Sequence, residues 1–126
     1  MEDLERHKTV LLLEDDTDLA SIIQYILEEE GYIVIKSLPG NFRKDIYQFR
    51  PALILLDHWL YKALGSTICE NLKTDPETCS IPIILTSTVI NIKDLASCCK
   101  ADDALPKPFD VEVLVEKVSR LMPIPK

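Results

Sequence analysis

A chain of 126 residues, 47% of them hydrophobic, can build one substantial core and is expected to form a single domain over residues 1–126, with the core at about 8–122. A formal charge of -7 and a pI near 4.8 argue against a nucleic-acid surface, which would need a clustered excess of Lys and Arg. The N-terminal stretch MEDLERHKT has no apolar signal core and no apolar run approaches the roughly 18 residues of a membrane span, so the expectation is an acidic cytoplasmic protein with no membrane partner.

In chain order, strand and helix patterns alternate. Residues 9–13 (TVLLL) read as a short buried strand that runs straight into Glu14, Asp15 and Asp16. Leu19, Ile22, Ile23, Ile26 and Leu27 then share one helical face, with Asp16 or Thr17 as the cap at its start and Gly31 at its end. Residues 32–36 (YIVIK) are β-branched enough for a second strand, 37–41 form a loop by their Pro and Gly, and 42–49 are a weaker helix.

Residues 52–59 (ALILLDHW) hold five apolar residues that end on Asp57, a third strand delivering a carboxylate where the chain leaves the core. A loop leads through Gly65 to a helix over about 66–73, which must stop before Pro76. Residues 81–86 (IPIILT) make a fourth strand, with Pro82 tolerable only near its beginning. Ile92, Leu95, Ala96 and Cys99 give a fourth helical face, and a short fifth strand at 103–105 leads into Pro106, Lys107 and Pro108. Asp110 is read as the cap of a last helix that buries Val111, Leu114, Val115, Val118 and Leu121, with Phe109 stapling onto Leu114.

Five βα units imply an α/β fold, a doubly wound five-stranded parallel sheet in the flavodoxin-like order 2-1-3-4-5. The cysteines Cys69, Cys79, Cys98 and Cys99 show no paired C-x-x-C spacing, so zinc is not expected and the thiols are read as reduced, mostly buried and without function.

The expected strand order brings Glu14 and Asp15 beside Asp57. Three carboxylates so close repel one another unless a cation neutralises them, and hard oxygen donors suit magnesium. Thr86 ends strand four with a hydroxyl, and Lys107 follows strand five with an ammonium. A metal, a lysine, a hydroxyl and a free carboxylate are what phosphoryl transfer onto an aspartate requires. Taken singly, each residue has an ordinary explanation as a helix start, a strand residue or a surface charge; their coincidence at the strand ends is what points to chemistry.

Together these residues resemble the receiver domains of two-component response regulators. The resemblance runs from about Lys8 to Met122 and is carried by LLLEDD (residues 11–16), LILLD (53–57) with Gly65 eight residues on, KTDPETCSIPIILTS (73–87) and LPKPF (105–109). It implies that Asp57 is the phosphoacceptor, that Glu14 and Asp15 form the acidic pair with Asp15 a direct magnesium ligand, and that the backbone carbonyl of Trp59 completes the protein's share of the metal shell. It further implies that Thr86 bonds a phosphoryl oxygen and that Lys107, through an expected cis bond to Pro108, pairs with Asp57 or its phosphate. A histidine kinase or histidine phosphotransfer protein would be the donor.

The sequence departs from the usual pattern at Tyr61, where proline is common, at Ser87, where alanine is usual, and at Ala104, where many receivers carry a Tyr or Phe that swings inward as Thr86 moves. The reading is therefore a phosphoacceptor signalling module and not a turnover enzyme. The alternative is a degenerate receiver used as a constitutive protein-interaction scaffold. A phosphoaspartyl hydrolase would need an acid-base carboxylate where Trp59 stands. The indole of Trp59 either excludes water from the phosphate, giving a long-lived signal, or folds away against Tyr61. The chain ends a few residues past its last helix, so no output domain is expected within it.

Overall fold

The computed structural model of the protein describes residues 6–122. The strands are β1 Thr9–Leu13, β2 Ile33–Ser37, β3 Leu53–Asp57, the short β4 Trp59–Leu60 and β5 Ala63–Leu64, β6 Ile83–Ser87 and β7 Asp103–Pro106. Five of them form one sheet in the order β2-β1-β3-β6-β7, every neighbouring pair parallel. This is the expected 2-1-3-4-5 order, with β6 and β7 as the fourth and fifth sheet strands. The helices are α1 Thr17–Glu29, α2 Phe42–Phe49, α3 Gly65–Thr74, α4 Ile92–Cys98 and α5 Val111–Leu121.

The strands read as unbroken apolar runs because both faces of the sheet are covered. Alternate side chains point to opposite faces. Leu11, Leu13, Ile54, Leu56, Ile83 and Leu85 pack with residues of α2, α3 and α4, whereas Val10, Leu12, Leu53, Leu55, Ile84 and Leu105 pack with α1 and α5. β6 begins only after Pro82, which has no N–H for the ladder but whose carbonyl accepts from the Ile54 amide at 2.9 Å. Asp16 caps α1, its side chain accepting from the amides of Asp18 and Leu19 at 3.0 and 3.1 Å. Gly31 takes φ 96 at the other end of that helix.

Several expectations need correcting. Asp110 occupies the cap position of α5 but its side chain makes no capping bond there, and Val111 is exposed while Leu114 and Val118 are buried. Seven residues are close to two full helical turns, so Val111 has nearly the angular position of Val118; its place in the terminal turn, not a wrong face, exposes it. Phe109 does pack against the core cluster that contains Leu114. Of the cysteines, Cys69 and Cys99 are buried but Cys79 and Cys98 are exposed, and all are free thiols. Among the described residues no helix is long and apolar enough to cross a membrane.

The segment read as a loop between Asp57 and Gly65 contains a small antiparallel hairpin, β4 Trp59–Leu60 and β5 Ala63–Leu64. Tyr61 and Lys62 form its turn, Lys62 with φ 61. Two-residue strands bear no periodicity, and the turn lacks the Asn-Gly or Asp-Gly signal that marks hairpins in a sequence. Gly65 closes the base: its N–H donates to the His58 carbonyl at 2.7 Å, and a Cβ there would lie 2.1 Å from the Asp57 carbonyl oxygen. Gly65→Ala is therefore expected to force the backbone around Asp57 apart and cost about 3 kcal/mol in urea unfolding; stability within a few tenths of the parent would show that the contact is not tight.

Candidate functional site

Strand register assembles the site. β1 and β3 pair Leu13 with Leu56, so Glu14 and Asp57 leave the sheet side by side. β3 and β6 pair Asp57 with Thr86, and the His58 N–H donates to the Thr86 carbonyl at 2.9 Å. β6 and β7 pair Ser87 with Pro106, and the Lys107 N–H donates to the Ser87 carbonyl at 2.8 Å. Lys107 thus enters from the strand beyond Thr86, with its peptide bond to Pro108 cis as expected.

The Lys107 ammonium lies 2.5 Å from Glu14 Oε1 and 3.3 Å from Asp57 Oδ1. All of these side chains are largely withdrawn from water, Asp57 at 7% exposure. The second oxygen of Glu14 accepts from the Asp16 N–H at 3.2 Å. Thr86 is buried beside Asp57. Asp15 is exposed, and its Oδ2 accepts the backbone N–H of Tyr61 at the hairpin tip. Glu14, Asp57 and Lys107 are thus brought together, whereas Asp15 stands apart, and among the described residues no three or more acid, His or Cys side chains converge as a ready metal cage. Repulsion explains why: the lysine can sit between two of the carboxylates, and the third is better placed on an amide.

Trp59 follows His58 directly and is 57% exposed. Its indole meets His58 edge-on, ring centroids 4.6 Å apart, instead of folding onto Tyr61. His58, to which no role was assigned from the sequence, is buried and its Nδ1 accepts from the Ser66 N–H at 3.3 Å. Its burial lowers its pKa. Ser87 Oγ accepts from the Val89 N–H at 3.1 Å and steadies the start of the β6–α4 loop. Ala104 is buried beside Leu85 in the core that α4 covers, so no aromatic lever is available at that position.

Burial is the main force raising the Asp57 pKa, from 3.8 to about 6; the Glu14 charge adds to it and Lys107 pulls the other way. For an acid whose pKa is raised on folding, the unfolded chain gives up its proton first as pH rises. Stability therefore falls between roughly pH 4 and 6, and the penalty is complete above that window. In EDTA, Asp57→Asn should accordingly unfold later than the parent at pH 7.5, by about 1–2 kcal/mol after allowing for residual solvent screening. That advantage should vanish near pH 4; a difference that does not depend on pH would contradict a raised Asp57 pKa.

The chain matches the family model for the response regulator receiver domain over residues 10–119. It is 34% identical over 116 residues to the DNA-binding dual master transcriptional regulator RpaA of Synechocystis sp., an alignment covering 90% of this chain and 48% of that protein. The chain spans about half the length of the curated relatives it matches. The crystal structure of the signal receiver domain of a signal transduction histidine kinase from Syntrophus aciditrophicus superposes with a TM-score of 0.83 at 31% identity, covering 91% of this chain and 89% of that one. A response regulator receiver domain from Bermanella marisrubri gives 0.83 at 26% identity, covering 90% and 97%. With the family match running from β1 into α5 and the strand order the same as expected, this chain belongs to the response regulator receiver domains of two-component systems.

Proposed function

We propose that this chain is a magnesium-dependent phosphoacceptor, one receiver domain acting in the cytoplasm as a signalling module and not as a turnover enzyme. Asp57 takes a phosphoryl group from a phosphohistidine on a histidine kinase or histidine phosphotransfer protein. The observation that carries this reading is the contact of the Lys107 ammonium with both Glu14 and Asp57 at the carboxyl ends of parallel strands, where open α/β sheets bind ligands.

In the transfer, a carboxylate oxygen of Asp57 forms the new O–P bond as the P–N bond to the donor histidine breaks. Asp57 attacks as the anion. Lys107 holds an oxygen of the acceptor or of the arriving phosphoryl group, which lets the lysine exchange a carboxylate partner for a phosphate one. The Thr86 hydroxyl, one strand over from Asp57, would bond a phosphoryl oxygen. Glu14, Asp15, Asp57 and the Trp59 carbonyl are all hard oxygen donors, and magnesium needs only one or two carboxylates beside water and phosphate oxygen, so the donor set fits it. When bound, magnesium would neutralise charge on the transferring oxygens. With Ala104 small and buried, the switch would have to run through Thr86 and the β6–α4 loop itself.

With a small acyl phosphate as donor, the chain should incorporate phosphate that hydroxylamine or alkali removes, and Asp57→Asn should take up none. Label that survives hydroxylamine, or that appears in Asp57→Asn, would overturn the assignment. The Trp59 indole stands two residues past the acceptor, where it flanks the approach of water to the phosphorus. Trp59→Asn should then lose its phosphate several-fold faster, on the order of 1 kcal/mol in barrier; equal lifetimes would show that the indole does not shield it.

A further inference from the structure

The hairpin between Asp57 and Gly65 reaches the acidic end of the sheet twice. At its base, Gly65 is pressed onto the Asp57 backbone and bonded to the His58 carbonyl. At its tip, the Tyr61 N–H donates to Asp15 Oδ2. One small element therefore touches both the acceptor's backbone and a proposed metal ligand.

The bond at the tip is a free choice of the backbone and not part of the hairpin's own closure. Leu60 pairs with Ala63, leaving Tyr61 and Lys62 as the central residues of the turn. Lys62 has φ 61 and Tyr61 does not have a positive φ, the pattern of a type II turn. In such a turn the closing bond joins the outer residues, so the amide of the first central residue is available to a neighbour. Here the neighbour is Asp15. A carboxylate oxygen that accepts an amide proton has less lone-pair capacity for a cation. Both partners are exposed, Tyr61 at 74%, so burial does not lock the bond and a competing ligand can displace it. A cleft of about 520 Å³ lined in part by Asp15, Leu38, Phe42, Tyr61 and Ile68 adjoins the tip and leaves it room to move.

We propose that the Tyr61 backbone N–H is a built-in competitor for the Asp15 carboxylate: it weakens divalent-cation binding at the acidic site, and cation binding in turn releases the hairpin tip. This rests on the metal-binding role proposed above for Asp15. The two effects are the same coupling seen from either side, because what the amide takes from the cation the cation must take from the amide.

Magnesium titrations of the chain by calorimetry, with Tyr61→Pro and Tyr61→Ala, test it. Proline removes the N–H and suits the first central position of a type II turn. Alanine keeps the N–H and removes only the ring, including its contact with the Lys62 ammonium 5.3 Å from the ring centre. Tyr61→Pro should bind magnesium about five-fold tighter than the parent, and Tyr61→Ala should bind as the parent does. Equal affinities for the two variants would overturn the inference. Hydrogen exchange of the Tyr61 amide in the parent gives a measurement independent of either variant. Exchange should be slow without magnesium and faster at saturation, and a rate that magnesium leaves unchanged would overturn the inference. Magnesium affinity untouched by Asp15→Asn is a separate outcome: it would remove Asp15 from the metal's ligands, and the hairpin's part in metal binding with it.

Discussion

A single ammonium held between two withdrawn carboxylates is the interaction on which the rest of this structure depends. Lys107 is 2.5 Å from Glu14 and 3.3 Å from Asp57, and each group comes from a different strand end. Taking charges out of water costs several kcal/mol per ion, and one lysine cannot fully compensate two acids. Asp57 bears the imbalance, its pKa pushed up by burial and by Glu14 more than Lys107 draws it down. The site is an electrostatic debt that the core must carry, and the same imbalance would favour the further cation and the phosphoryl chemistry that the proposed function calls for.

The core carries it by making the register unambiguous. Alternate residues of β1, β3 and β6 enter two separate apolar layers, one beneath α1 and α5 and the other beneath α2, α3 and α4. A slip of one residue would send each apolar set to the opposite layer and move Asp57 away from Thr86. Packing that shows no chemistry of its own therefore fixes where the acidic cluster forms. Gly65 adds a second constraint on the same residue, since only a missing Cβ lets α3 begin against the Asp57 carbonyl.

The sheet and its strand-end residues were legible in the sequence because buried strands and abrupt acids leave strong local signals. TVLLL ending at Glu14 and LILLD ending at Asp57 announce both the strands and the carboxylates they deliver. What could not be read was whatever depends on which partner a backbone group meets. The β4–β5 hairpin is too short for a periodic pattern, and the bond from the Tyr61 amide to Asp15 involves no property of the Tyr61 side chain. That bond holds Asp15 at the hairpin while Glu14 and Asp57 meet at Lys107, although the spacing of all three acids treats them alike. His58 escaped notice for a related reason: a histidine after an acid has many meanings, and only the fold sets it edge-on to the indole with its Nδ1 on the Ser66 amide. At α5 the helical period gave the right face but not its extent, as the exposed Val111 shows.

The central claim is that Asp57 is an unbalanced, partly neutralised carboxylate poised for a cation and a phosphoryl group, and the most direct measurement is an NMR titration of its side-chain carboxyl carbon. Without magnesium the midpoint should fall near 6, far above an ordinary aspartate. Saturating magnesium should move it down by at least one unit, since a neighbouring cation favours the anion. A midpoint at the ordinary carboxylate value, unmoved by magnesium, would contradict both the electrostatics of the site and its proposed use.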